Sequence, residues 1–163
     1  MKIWLLGLMA LMLAVPYVTA ADEQFANSLL ELINQHRATN GIGPLTIDPI
    51  MSQAAQEHSE WMNRTGQFAH NCPGETIFDV RAAAWGGTAA ENIGQATIST
   101  ATETRCWGSQ CTTTITITVD GSPQDFFGGW KNSLGHNTNM LNPVYTRIGI
   151  GLAGINATTD FAA

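Results

Sequence analysis

Apolar positions set the first two elements of this chain. Ala26, Leu29, Leu30 and Ile33 recur at i, i+3, i+4 and i+7, which lines them along one stripe and predicts a helix over about 23–39. Asn40-Gly41 ends it. Asp48 is suited to cap a second helix with Pro49 at its first position. Met51, Ala54, Ala55, His58 and Met62 then repeat the spacing until Gly66. His58 lies inside that stripe and is read as a packed histidine with one hydrogen-bonded nitrogen, outside any site.

From Cys72 to Ala90 the pattern is irregular, with room for a short helix at 77–84. Glu91 to Ala96 reads as the first strand of a core sheet. Two Thr-rich runs follow, 97–104 and 112–119. In the second, Ile115, Ile117 and Val119 alternate with threonines, so one face is apolar, and the two runs predict a hairpin. Phe126, Phe127 and Trp130 lie on a predicted helix over 125–133 that Gly128-Gly129 weakens, with Trp130 as a core anchor. Residues 145–153 alternate as a central strand whose glycines, Gly149 and Gly151, permit close backbone approach.

Met1-Lys2, the apolar stretch from Ile3 to Val15, Pro16 and then Val18-Thr19-Ala20 read as a secretory signal peptide over residues 1–20. That stretch is too short to span a bilayer, and no later one approaches the roughly 20 apolar residues a membrane helix needs. Residues 21–163 suffice for one domain with a core. The chain carries a formal charge of −6, and losing Lys2 with the leader makes the remainder more acidic. With no Lys/Arg cluster, a nucleic-acid partner is excluded and anionic lipid surfaces are disfavoured. An exported compartment permits disulfides. Cys106 and Cys111 enclose a tight loop and are the natural pair, leaving Cys72 as a buried thiol, an alternative disulfide partner, or a soft ligand beside His70.

The candidate chemistry rests on His70, Glu91 and His136. His70 sits in Phe68-Ala69-His70-Asn71 after the second helix, Glu91 opens Glu91-Asn92-Ile93-Gly94, and His136 closes Asn132-Ser133-Leu134-Gly135-His136 before another short helix. These blocks come in order with Asn34, Arg37, Gly41, Leu45 and Asp48 before them, then Trp130-Lys131-Asn132-Ser133, Asn139-Met140-Leu141-Asn142 and Ile148-Gly149-Ile150-Gly151. The ordered set, over about 25–153, resembles the secretory CAP family of cysteine-rich secretory proteins, antigen 5 and pathogenesis-related proteins, in its bacterial branch.

The resemblance implies an α+β fold, an α-β-α sandwich with a small mixed or antiparallel sheet between helical layers. It also implies a cleft with two histidines, His70 and His136, and the acid Glu91. The family's second acid, which follows the tryptophan matched by Trp130, is replaced here by the cleft-lining Ser133. The hairpin at about 96–123 is an insertion, either at the edge of the cleft or a distant flap. Thr159-Asp160-Phe161 is the shortened relic of an aromatic closing strand.

Two imidazoles and one carboxylate form a ligand set suited to Zn²⁺, but no His-Glu-x-x-His spacing supplies a separate base, and if Glu91 is the base, His70 and His136 alone make a weak site. Alternatively, Glu91 simply accepts hydrogen bonds from both histidines, since an unpaired buried polar group costs about 1–3 kcal/mol. The spacing of Ser133 and His136 suits a helix cap, with Ser133 or Asn137 satisfying free backbone N–H groups, better than nucleophilic catalysis, with no orienting acid or oxyanion motif nearby. The expected protein is a secreted, extracellular or periplasmic monomer whose cleft engages an unknown ligand or protein partner without catalysis. The alternatives are a metal-assisted or acid–base hydrolase of peptides or esters, and a lipid or sterol carrier.

Overall fold

The computed structural model describes residues 20–107 and 110–163. The predicted leader lies outside them, apart from Ala20, the first residue of helix α1 (Ala20–Thr39). Asn34 of α1 uses its amide as a clip, accepting from the Leu45 N–H at 2.8 Å and donating to the Leu45 carbonyl at 3.0 Å. Three residues on, Arg37 is only 1 % exposed. Its guanidinium donates to the carbonyls of Gly43, Met140, Asn142 and Tyr145, so one cation closes the loops at that end of the molecule.

Helix α2 (Pro49–Thr65) starts and stops where its capping residues require. Asp48 accepts from the N–H groups of Ile50 and Met51, and Gly66 adopts φ +69°, the left-handed turn that favours glycine. The irregular segment holds α3 (Phe78–Ala83), and Trp85 behind it packs against Met51 and Ala162. Ser122 and Asp125 form a reciprocal capping box for α4 (Pro123–Lys131), which runs unbroken through Gly128-Gly129. His136 lies within α5 (Leu134–Met140) rather than ahead of it, and Ser133 occupies its N-cap position without a side-chain capping bond.

Two sheets form. One is four-stranded, in the order β1 (Thr46–Ile47), β5 (Arg147–Ala153), β6 (Asn156–Ala162), β2 (Ala89–Gln95), parallel at β1–β5 and antiparallel elsewhere. A short strand just after Leu45 therefore precedes Glu91's strand in the sheet, and the closing segment is no relic. It is a seven-residue strand, buried along its whole length and central in the sheet. The other sheet is the hairpin of β3 (Thr97–Trp107) and β4 (Gln110–Asp120), joined by the Cys106–Cys111 disulfide. Its apolar face finds no layer to cover it, leaving Ile115 and Ile117 63 % and 66 % exposed.

Helices cover the four-stranded sheet on both faces. On one, Phe25, Leu29 and Ile33 of α1 and Phe126 and Trp130 of α4 pack with Ile148, Ile150 and Phe161. On the other, α2 crosses β5 so closely that a Cβ at Gly149 or Gly151 would collide with the backbone of Met51 or Ala55. The fold is the expected α+β sandwich.

Candidate functional site

The pleat of β2 sends Glu91 and Ile93 toward the α2 face and Asn92 and Gly94 toward α4 and α5. Ile93 accordingly joins Trp61, Met62 and Cys72, whereas a Cβ on Gly94 would strike Phe126 and Trp130. The Glu91 side chain is 2 % exposed, and both oxygens are engaged. Oε1 accepts from His70 Nδ1 at 2.8 Å, and Oε2 accepts from Arg81 at 2.6 Å. Arg81, on α3, also lies 3.2 Å from Glu75 and donates to the Thr76 carbonyl. Glu75 in turn accepts from Nδ1 of the fully buried His58 at 2.8 Å, and the other ring nitrogen of His58 stands 3.8 Å from Glu91. One guanidinium thus bridges the buried Glu91 and the partly buried Glu75, with an imidazole on each side.

A third carboxyl completes the centre. Asp160 of β6 is in register with Glu91 across the β2–β6 pair, is fully buried, and has no protein donor on either oxygen. Burial, followed by the negative charge of Glu91, pushes it well above the ordinary carboxylate range. In its neutral form Asp160 can donate toward Glu91, whereas a charged Asp160 would repel it.

The second predicted histidine approaches from the opposite layer. Asn92 holds α5 over β2 by donating to the His136 carbonyl at 3.1 Å and accepting from Asn139 at 2.9 Å. Burial lowers the pKa of the half-buried His136 ring, and the positive charge of His70 lowers it further, so the two imidazoles share one neighbourhood. Beside His136 a cavity of about 370 Å³ opens between Phe68, Ile93, Gln95, Asp125, Trp130 and His136, with Thr97 and Asp120 at the root of the hairpin on its wall; His70 and Glu91 are not among its lining residues. The hairpin therefore begins at the edge of the cleft. Ser133, predicted to line it, is half-buried at the start of α5 and is not among the cavity's lining residues.

The order of blocks and the sandwich now have counterparts among known proteins. A family model for CAP, the cysteine-rich secretory protein family, matches residues 30–162. The chain belongs to the CAP family. YkwD of Bacillus subtilis (strain 168) is 30% identical over 131 residues, 78% of this chain and 42% of YkwD. Among solved structures, an extracellular protein containing a SCP domain from Bacillus anthracis str. Ames is similar with a TM-score of 0.68 and 22% identity, over 91% of this chain and 45% of that one. An outer surface protein from Borrelia burgdorferi gives a TM-score of 0.63 at 16% identity, over 85% of this chain and 92% of that one. The chain thus spans less than half the length of YkwD and of the Bacillus anthracis protein.

In this CAP domain the expected trio is only part of the cluster. His70 and Glu91 meet in a hydrogen bond and His136 stands near His70, while His58, Glu75, Arg81 and Asp160 come from outside the predicted set. Among the described residues, no group of three or more His, Cys, Asp or Glu side chains is arranged to hold a metal ion. The reason is local. Arg81 already places a cation on Glu91, so a divalent ion there would face a guanidinium and a carboxylate with both oxygens engaged. The predicted zinc set therefore does not fit this arrangement. Cys72 is a buried free thiol hydrogen-bonded to the Ala69 carbonyl, and burial raises its pKa. Among the described residues, no helix is long and apolar enough to cross a membrane.

Proposed function

We propose that this chain is an exported, non-catalytic CAP module that binds a ligand or protein partner in the cleft beside His70 and His136. One observation carries the reading: the acids that a hydrolase would need as a general base are already engaged. Glu91 is held by His70 and Arg81, and Glu75 by His58 and Arg81. A base must reach the proton it abstracts, and the oxygens of these carboxylates are taken up by the Arg81 guanidinium and by imidazole nitrogens. The cavity supplies what binding requires, with apolar walls at Phe68, Ile93 and Trp130 and polar groups at Gln95, Asp125 and His136. Its volume of about 370 Å³ suits a small ligand or a single protruding side chain. Export is supported by the leader-like residues 1–20 and by the extracellular and outer-surface descriptions of the similar structures.

The test is a panel of peptide and ester substrates incubated with the protein and with Glu91→Gln. Both are expected to match the buffer rate; turnover by the unmodified protein that disappears in a folded Glu91→Gln variant would overturn the proposal. Calorimetric titration with Zn²⁺ is expected to give the same heats for the unmodified protein and for a His70→Ala, His136→Ala double variant. Saturable binding by the unmodified protein alone would mean that Arg81 yields its place to the ion.

A further inference from the structure

A second recess lies on the far side of the sandwich from the His/Glu cleft, along the open edge of β5. Strand β1 pairs with only Arg147 and Ile148, so beyond it the edge-facing groups of β5 need other partners. Helix α2 supplies them from its side chains. The Gln56 amide accepts from the Leu152 N–H at 2.9 Å and donates to the Leu152 carbonyl at 3.0 Å, and Ser52 accepts from the Ile150 N–H. Because Gln56 stands in for a missing strand without filling its width, a hollow of about 500 Å³ remains between α1, α2 and that edge. This volume falls within the range of small-molecule sites, about 300–1,000 Å³.

Two properties of the hollow select its occupant. Phe25, Ile47, Pro49 and Leu152 present apolar surface. Glu23, Glu57 and Glu60 add carboxylates, and no Lys, Arg or His is among the lining residues. The neighbours bonded to Glu57 and Glu60 are the neutral amides of Gln53 and Gln56, which carry no charge to offset theirs. An anionic lipid or fatty acid would meet that charge head-on, whereas a positive head group would be attracted to it.

We propose that the α1–α2 hollow is a binding site for a cationic amphiphile, an alkyl or aryl body carrying an ammonium or guanidinium head. The apolar body lies against Phe25, Ile47 and Leu152, and the head stays at the mouth beside Glu57 and Glu60. This site is separate from the His70/His136 cleft and does not depend on how that cleft works.

The experiment is calorimetric titration of the protein with dodecyltrimethylammonium chloride, dodecanoate and dodecanol, all below their aggregation or solubility limits. Saturable binding of the cation, weaker or absent for the other two, and falling as salt rises, is the expected result. The double variant Glu57→Gln, Glu60→Gln should weaken the cation about fivefold, the loss of two partly exposed charge contacts. Gln53→Trp, an exposed position at the mouth, should exclude all three probes by filling the entrance. Far-ultraviolet circular dichroism checks that both variants fold, and if either does not, the three-probe comparison and salt series on the unmodified protein decide alone. Equal affinity for cation and anion, salt-independent cation binding, or no saturable binding of the cation would overturn the proposal.

Discussion

Replacing Asp160 by asparagine should stabilise this protein, and by an amount that grows with pH. The buried carboxyl faces Glu91 across the β2–β6 pair without a protein donor, and its pKa lies well above the usual range. In the unfolded chain it titrates near 3.9. The sign follows from proton counting. Above that value the unfolded chain has released the proton and the folded protein still holds it, so unfolding is promoted by each further rise in pH until the folded group ionises. Stability attached to this group is thus complete in acid and lost as pH rises through the raised folded value, at about 1.4 kcal/mol per pH unit while the folded form stays neutral. Asparagine copies the neutral carboxyl in shape, donates toward Glu91, and does not titrate. Urea unfolding followed by tryptophan fluorescence, run from pH 3 to 8, should show the variant pulling ahead of the unmodified protein by about that slope from pH 4 upward. Below pH 3 the curves should run parallel. All other titratable groups are common to both proteins, so the difference reports Asp160 together with its coupling to Glu91. Parallel curves between pH 4 and 7, or a variant losing ground toward alkali, would refute the assignment.

Other expectations concern the supports of the site and of the sandwich. Arg81→Met removes the cation between Glu75 and Glu91 and should cost about 3–5 kcal/mol, because the buried Glu91 and the partly buried Glu75 lose their shared partner; chemical unfolding reads the loss. Gly151→Ala drives a methyl group into the α2 backbone at Ala55 and should lower stability by about 1–3 kcal/mol or more, seen as a fall in Tm. Breaking the disulfide with a Cys106→Ser, Cys111→Ser variant should cost about 2 kcal/mol locally in the hairpin while leaving the Tm of the sandwich nearly unchanged, a contrast visible by amide hydrogen exchange in β3 and β4.

The parts of the fold legible in the sequence are those that one neighbouring layer reads directly. The stripe of α1 and the caps of α2 are set by local spacing and by Asp48 and Gly66, and the structure follows both. Gly149 and Gly151 announced a close backbone approach, and α2 makes it. Strand β6 was harder to see because Thr158, Thr159 and Asp160 look like surface residues. Their burial follows from central placement in a sheet covered on both faces, which no alternation within the strand encodes. The same limit applies to the site. His70 and Glu91 stand in distinctive blocks and do meet. Arg81 and Glu75 lie in a stretch with no period, and only the return of α3 toward β2 brings them to Glu91. For His58, the expectation of one bonded nitrogen was right, but the other points toward Glu91, placing in the cluster a residue read as outside it.

The disulfide-tipped hairpin gives the molecule an outreach disproportionate to its size. Eleven residues of extended chain in each arm span about 36 Å. Every described side chain from Thr97 to Cys106 and from Gln110 to Thr118 is exposed. Rooted at the rim of the cavity, such an arm carries its exposed side chains away from the sandwich, where they can meet a surface that the body does not approach.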